Sequence, residues 1–434
     1  MKPFIISKLS FLILVLLLLN CSRKSGTEPI YIEFWAMGAE GENVKKLVPE
    51  FERAHPDIRV KVQMIPWTAA QEKLITAFAS DNLPDVFQLG NTWIPQFVAL
   101  RALEWLDPWI EKTRMNSPEH YFKGIWNTNQ IKGKVYGIPW YIDTRILFYR
   151  KDVLKQAGFS SPPKTWSELL TVCRRIKKLY KNEKKYPFYL PTNEWAPFII
   201  FGLENGARLL KDNNCYGAFS EPEFVEAYSF LSIFYKEKLT PLSLSEVTNI
   251  YQAFAEGFIN MYISGPWNIP EFKKWMKGSL RYQWSTAPIP GKKRYPGISL
   301  AGGSSLVINK RSRQKKAAWE FIQYLSTDKV QIKFYQLTND LPAKKEAWAS
   351  PVLKNDFLMK AFYIQFQHVK STPKVPEWEQ IVFSKLQEYN ELMARGILSP
   401  GDALKKLDRD VNNILSKRRW LISRKKNEGN PLDS

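Results

Sequence analysis

Cysteine and histidine are scarce, three of each in 434 residues. Cys21, Cys173 and Cys215 are too scattered for a zinc ribbon or a disulfide scaffold, and His55, His120 and His368 follow no metal-ligand spacing. No metal or other cofactor is expected. Beyond Leu19 no apolar run approaches 18 residues, which excludes a second membrane span. Acids are outnumbered, 42 against 63 Lys+Arg, for a formal charge of +21. That excess is spread along the chain without a helix-turn-helix, RRM or OB signature, so no nucleic-acid partner is expected. The charge can instead steer an anionic solute. With 44% apolar and 24% charged residues the composition is that of a globular protein. A chain this long divides into two or three domains and needs no covalent staple.

What is present begins at the N-terminus. Lys2 and Lys8 precede the nine apolar residues Phe11–Leu19, the length of a signal-peptide core and half that of a span. The following Leu18-Leu19-Asn20-Cys21-Ser22 resembles a bacterial lipobox, with Asn20 where the pattern has Gly or Ala. That resemblance implies a signal peptide over 1–20, a diacylated Cys21 as first mature residue, and a lipid-anchored tether over 21–29. A simple uncleaved anchor is the alternative. Either way the folded part is expected outside the cytoplasm, on the periplasmic side of the cell membrane. Loss of residues 1–20 leaves a charge of +19.

From residue 30 strand and helix patterns alternate. Ile30–Trp35, Ile58–Met64 and Asp85–Leu89 read as strands, separated by helices with Val44, Leu47, Val48 and Phe51 and then Leu74 and Phe78 on one face. Thr68 with Gln71, and Thr165 with Glu168, have capping-box spacing. This order predicts a parallel sheet covered on both faces. Lys132-Gly133-Lys134 reads as a hairpin turn, and Val135–Tyr149 as an extended stretch. A second α/β region follows, with strands at Phe188–Pro191, Ile259–Ile263, Tyr282–Ala287 and Ser305–Ile308 and helices near Trp195–Glu204 and Glu221–Lys236. From Arg313 the chain reads as almost all helical.

GKVYGIPWYIDTRILFYRKDVLKQAGF (133–159) with PKTWSELL (163–170) resembles the signature of extracellular solute-binding proteins of the sugar type, the maltose-binding-like receptors of ABC importers. FERAHPDIRVKVQ (51–63), LPDVFQLG (83–90), ISGPWNI (263–269), the stretch 302–327 and ARGILSPGDALKKL (394–407) match in the same order. Tyr149-Arg150-Lys151 replaces the usual Tyr-Asn-Lys at a structural position. The resemblance implies an α/β, two-lobed periplasmic-binding-protein-like fold with a hinge and an interlobe ligand cleft. It places an N-terminal lobe over 30–140 plus 288–340, a C-terminal lobe over 141–287 plus 341–416, and a basic tail over 417–434. Crossings are expected near 140–146, Ala287–Gly291 and Thr338–Leu341. It further implies a monomer that captures a sugar or oligosaccharide without catalysis and delivers it to permease subunits.

Indole and phenol rings cover the C–H faces of a sugar, while carboxylates, amides and guanidinium groups fix its hydroxyls. In an α/β lobe the loops after strand ends line the binding crevice. Trp35, Glu40, Trp67, Asn91, Thr92 and Trp93 follow the first three strands, and Trp140, Tyr141, Asp143 and Arg145 lie on the first crossing. Glu194 and Trp195 open a helix. Gly302 and Gly303 would admit ligand close to the backbone, and Trp378 precedes a C-terminal helix. By resemblance Trp267 is the stacking aromatic and Asp143 a hydroxyl-binding carboxylate. Packing roles compete for the tryptophans, and an ion pair with Arg145 competes for Asp143. Trp105, Trp109, Trp166 and Trp319 fall in helical patterns and read as packing, Asp85 as structural, and Cys173 and Cys215 as buried thiols. Two other functions stand beside capture of a neutral sugar: binding of a sugar phosphate or uronate, and a glycosidase using a pair among Glu40, Asp143 and Glu194. The basic clusters after residue 416 read as a solvated tail, with contact to anionic lipid as the alternative.

Overall fold

The computed structural model describes residues 28–427, so the expected signal peptide, Cys21 and the end of the basic tail lie outside the described residues. One lobe is built on a six-stranded mixed sheet ordered Leu341–Pro342, Ile138–Asp143, Gly302–Ile308, Val86–Gly90, Ile30–Met37, Ile58–Ile65. Ile30–Met37 pairs in parallel with Ile58–Ile65 and Val86–Gly90, whereas Gly302–Ile308 runs antiparallel between Val86–Gly90 and Ile138–Asp143. Alternation on Ile30–Met37 serves two cores at once. Ile32, Phe34 and Ala36 enter the larger one, and Met37 joins Ile65, Leu74, Phe87 and Phe97 on the opposite face.

The second lobe is centred on an antiparallel sheet with Ile146–Arg150 between Met261–Ser264 and Trp284–Ala287. Helices Trp166–Leu179, Trp195–Glu204, Pro222–Lys236 and Pro400–Ile414 pack over it. Thr165 caps the first of these by accepting from the Glu168 amide, as its spacing predicts. Arg150 is buried and donates to the Phe254 and Ala255 carbonyls and to Asp152, a structural anchor for the strand end. Asp85 is structural as well, accepting from the Glu33 amide and the Ser312 hydroxyl. Cys173 and Cys215 are both buried free thiols.

Four readings are corrected. The helix expected to open at a Thr68 cap starts at Trp67, because extended Pro66 sets the entry and Gln71 instead donates to Gln96. Phe188–Pro191 forms no strand but a lone bridge from Tyr189 to Tyr262, since Pro187 and Pro191 have no N–H to donate. Trp105 lies outside any helix, 43% exposed beneath Lys134. The lobe boundaries expected after 140 and 340 cut the six-stranded sheet, because Tyr141–Asp143 and Leu341–Pro342 are paired within it.

The chain therefore crosses at Thr144-Arg145, returns between Ala287 and Gly302, and leaves the six-stranded sheet after Pro342. The segment that follows supplies Trp348, Phe362 and Phe366. With Phe34 and Trp140 of one lobe and Phe148, Phe272 and Trp284 of the other, they form one continuous apolar interior.

Candidate functional site

The register of the six-stranded sheet brings one set of strand ends together. Asp143 ends its strand beside Gly302, Gly90 lies opposite Ser304, and Asp340 directly precedes the strand that pairs with Ile142. Glu40 stands in the first turn of the short helix Gly38–Val44, immediately after Met37. Its carboxylate accepts from the Tyr141 hydroxyl at 2.8 Å and from the Trp67 indole at 3.3 Å. Tyr141 in turn receives hydrogen bonds from Gln88 and Ser304, each at 3.0 Å, and Gln88 Oε1 accepts from the Met37 amide at 2.7 Å. The acid is thus positioned by a buried polar network reaching the middle of the sheet. Trp67 is half exposed and meets Trp93 edge to face at 6.0 Å.

Burial pushes the Glu40 carboxyl above its ordinary value of 4.5 in spite of these donors. Burial, reinforced by the negative charges of Glu40 and Asp143, pushes Asp340 well above 3.8. Asp143 is raised by burial as well, against the pull of Arg145 at 2.7 Å. Three acids therefore share this wall.

Across the crossing segment the second sheet ends in different chemistry. Ser264 pairs with Ile146, so the chain turning at Gly265-Pro266-Trp267 lies beside Arg145. The Arg145 guanidinium stands 4.6 Å from the centre of the Trp267 ring, which is 45% exposed. A Cβ at Gly265 would come within 2.0 Å of that ring, so only glycine lets the indole lie there. Tyr189 and Tyr262 pack 5.4 Å apart, and both feel the negative charge of Glu194. Glu194 caps the helix Trp195–Glu204. Trp195 is buried edge-on to Trp378 and Phe383, the latter 54% exposed. The Glu379 carboxyl, raised by burial, lies against the first-lobe Thr92 hydroxyl, and its Oε1 has no partner among the described residues.

The sequence profile of the bacterial extracellular solute-binding protein family matches residues 36–332. The chain belongs to that family. Among solved structures, the sugar-binding protein MalE of Xanthomonas citri is 45% identical, with a TM-score of 0.87 over 91% of this chain and 99% of that one. An ABC transporter solute-binding protein of Thermotoga lettingae bound with α-D-tagatose is 27% identical, with a TM-score of 0.73 over 89% of this chain and all of the other. The diacetylchitobiose-binding protein DasA of Streptomyces coelicolor is 27% identical over 382 residues, 85% of this chain and 86% of its own length.

In this solute-binding protein the expected site residues divide into three groups. Glu40, Tyr141, Asp143, Arg145, Trp93 and Trp267 lie at the facing strand ends, while Glu194 caps a helix after the lone Tyr189–Tyr262 bridge, with Trp195 buried behind it. Asn91 is at a strand end too, but its amide side chain is taken up by Thr128 and its N–H by the Gly303 carbonyl. Gly302 and Gly303 serve the sheet: a Cβ would come within 2.1 Å of Asp143 Oδ1 at the first and 2.3 Å of the Tyr141 carbonyl at the second. Their small size admits protein atoms where ligand was expected.

Three tryptophans are placed elsewhere. Trp140 is buried against Phe334 at 4.5 Å and Phe34 at 5.7 Å, and Trp378 is fully buried behind Trp195. Trp35 points to the other side of the first lobe, beneath Lys73 in a surface groove of about 430 Å³. Asp340, Gln88, Tyr189, Tyr262, Phe383 and Glu379 were absent from the sequence reading. Asp340 had a signal, because it lies within Thr338–Leu341, the segment taken as the third crossing. Gln88 had none, being one polar residue inside an apolar strand. An anionic guest finds little here, since Arg145 is already paired with Asp143 amid carboxylates.

Proposed function

We propose that the protein binds a neutral sugar or oligosaccharide between its lobes and releases it unchanged to the permease of an ABC importer. One observation carries this reading: the half-exposed Trp267 indole stands across the crossing from the Glu40, Asp143 and Asp340 carboxyls. A ring face takes sugar C–H groups, and acids held by hydrogen bonds accept hydroxyls in fixed directions. The 45%-identical sugar-binding protein of Xanthomonas citri and the diacetylchitobiose-binding DasA support the same class.

In this reading Glu40, Asp143, Asp340, Trp67 and Trp93 form the wall of a first lobe comprising 30–143 and 302–342. Arg145, Trp267, Glu194, Tyr262 and Phe383 form the wall of the second. The lobes close by a hinge at the crossings, because only the closed state lets a ligand touch both walls. The protein acts outside the cytoplasm as a monomer tethered through a diacylated Cys21, and it catalyses no reaction on its guest. Isothermal titration and thermal shift against neutral saccharides, uronates and sugar phosphates test this. A neutral saccharide should bind at micromolar affinity or better and raise the melting point by mass action. Binding confined to the anionic panel, or turnover of a chromogenic glycoside, would overturn it.

A further inference from the structure

The last helix, Ser416–Asn427, carries six cations and no acid in twelve residues: Lys417, Arg418, Arg419, Arg424, Lys425 and Lys426. Two of them fasten it to the second lobe. Arg419 donates to the Cys215 carbonyl at 3.0 Å and stacks over Tyr216 at 4.7 Å, while Arg418 reaches Glu377 at 3.8 Å. With that side held down, Lys417, Trp420, Leu421 and Arg424 are exposed. Their spacing of three, four and seven residues puts all four on one face of the helix. Trp420 is 56% and Leu421 45% exposed, and the Arg424 guanidinium lies 5.6 Å from the Trp420 ring.

We propose that this face is a docking surface for an anionic lipid bilayer. Indole and guanidinium or ammonium groups side by side suit the boundary between headgroups and acyl chains, where the ring rests in the interface and the cations meet phosphate. Each Lys or Arg near an anionic surface strengthens binding about fivefold. The charge is complementary and concentrated, six cations and no acid in twelve residues, and among the described residues no helix is long and apolar enough to cross a membrane. The interaction adds a contact on the second lobe and needs no occupant in the cleft.

The test is vesicle co-sedimentation of the chain from Ser22 onward, which retains every described residue and has no acyl group. Vesicles of phosphatidylcholine alone are compared with vesicles containing about 30% phosphatidylglycerol at low salt. Partitioning should rise at least tenfold with the anionic lipid and fall as salt is added. The double variant Lys417→Glu/Arg424→Glu should lose that rise, and Trp420→Ala/Leu421→Ala should weaken it several-fold and reduce the vesicle-induced blue shift of the tryptophan emission seen with the unaltered chain. Circular dichroism and ligand-induced thermal shift, unchanged in both variants, separate a lost surface from a lost fold; should either variant misfold, the single change Trp420→Phe reads the same contact as a loss of tryptophan quenching by brominated lipid. Equal partitioning to both vesicles, or full binding by the charge-reversed variant, would overturn the proposal. Equal affinity for a DNA duplex at the same salt would also overturn it, by making the helix a general polyanion patch.

Discussion

The two walls of the proposed sugar site are held in place differently. On the first lobe Glu40 is fixed from behind by Tyr141, Gln88 and Ser304, a chain of buried hydrogen bonds inside the sheet. On the second, Trp267 is held by the shape of Gly265 and by Arg145, and nearly half of its surface is open. The first wall is preorganised, and the orientation of its acids is set before any ligand arrives. The second offers area, which a guest covers only on closure. The contrast teaches that, in the proposed binding mode, direction and contact area are supplied by different lobes.

The comparison breaks most visibly at its aromatic side. Trp267→Ala should cost at least about thirtyfold in saccharide affinity by titration calorimetry, as expected for a central aromatic anchor, with little change in melting point because the ring is half exposed. Tyr141→Phe should act on the other wall, taking the hydroxyl donor from Glu40 Oε1 and leaving the Trp67 indole on Oε2. About a tenfold loss of affinity should come with a melting point lower by a few degrees, since an orphaned buried group costs about 1–3 kcal/mol. A large loss of affinity without loss of stability in this variant would show that the network does not hold the wall.

Asp340→Asn sharpens the electrostatic part. The fold raises the Asp340 pKa above 3.8, so it favours the protonated form. That contribution to stability is present below 3.8 and is lost as pH rises through the raised value. Asparagine imitates the neutral acid, so the unliganded variant should melt above the parent at neutral pH. The gain should shrink as pH falls toward 3.8, as thermal melts across that range would record. The smallest effect is expected at Trp35→Ala, which should leave saccharide affinity within about twofold of the parent because Trp35 faces the opposite side of the lobe.

Much of the architecture was legible because period and punctuation are local. Ile30–Trp35 and Ile58–Met64 differ from the observed strands only at their ends, and the Thr165 cap follows from spacing alone. Phe188–Pro191 misled because its apolar run says nothing about the amides that two prolines remove. The placement of Glu40, Asp143, Arg145 and Trp267 near strand ends was legible because residue type and strand end coincide there, and their part in binding is the proposal. The burial of Trp140 and Trp378 was not, since sequence cannot tell which side of a strand or helix meets the core. Asp340, inside the expected third crossing, came beside Asp143 only through the antiparallel register that carries the start of one strand to the end of another.

The apolar interior that runs from Phe34 through Trp348 and Phe362 to Trp284 has a bearing on how the molecule comes apart. Opening of the cleft must rotate the lobes about this seam without exposing it, so the travel is set by how far rings at its margin can slide and still exclude water. Heat meets the same restriction: neither half can melt and leave the other its full complement of neighbours. The protein should therefore give a single calorimetric transition, even though its outline has two parts.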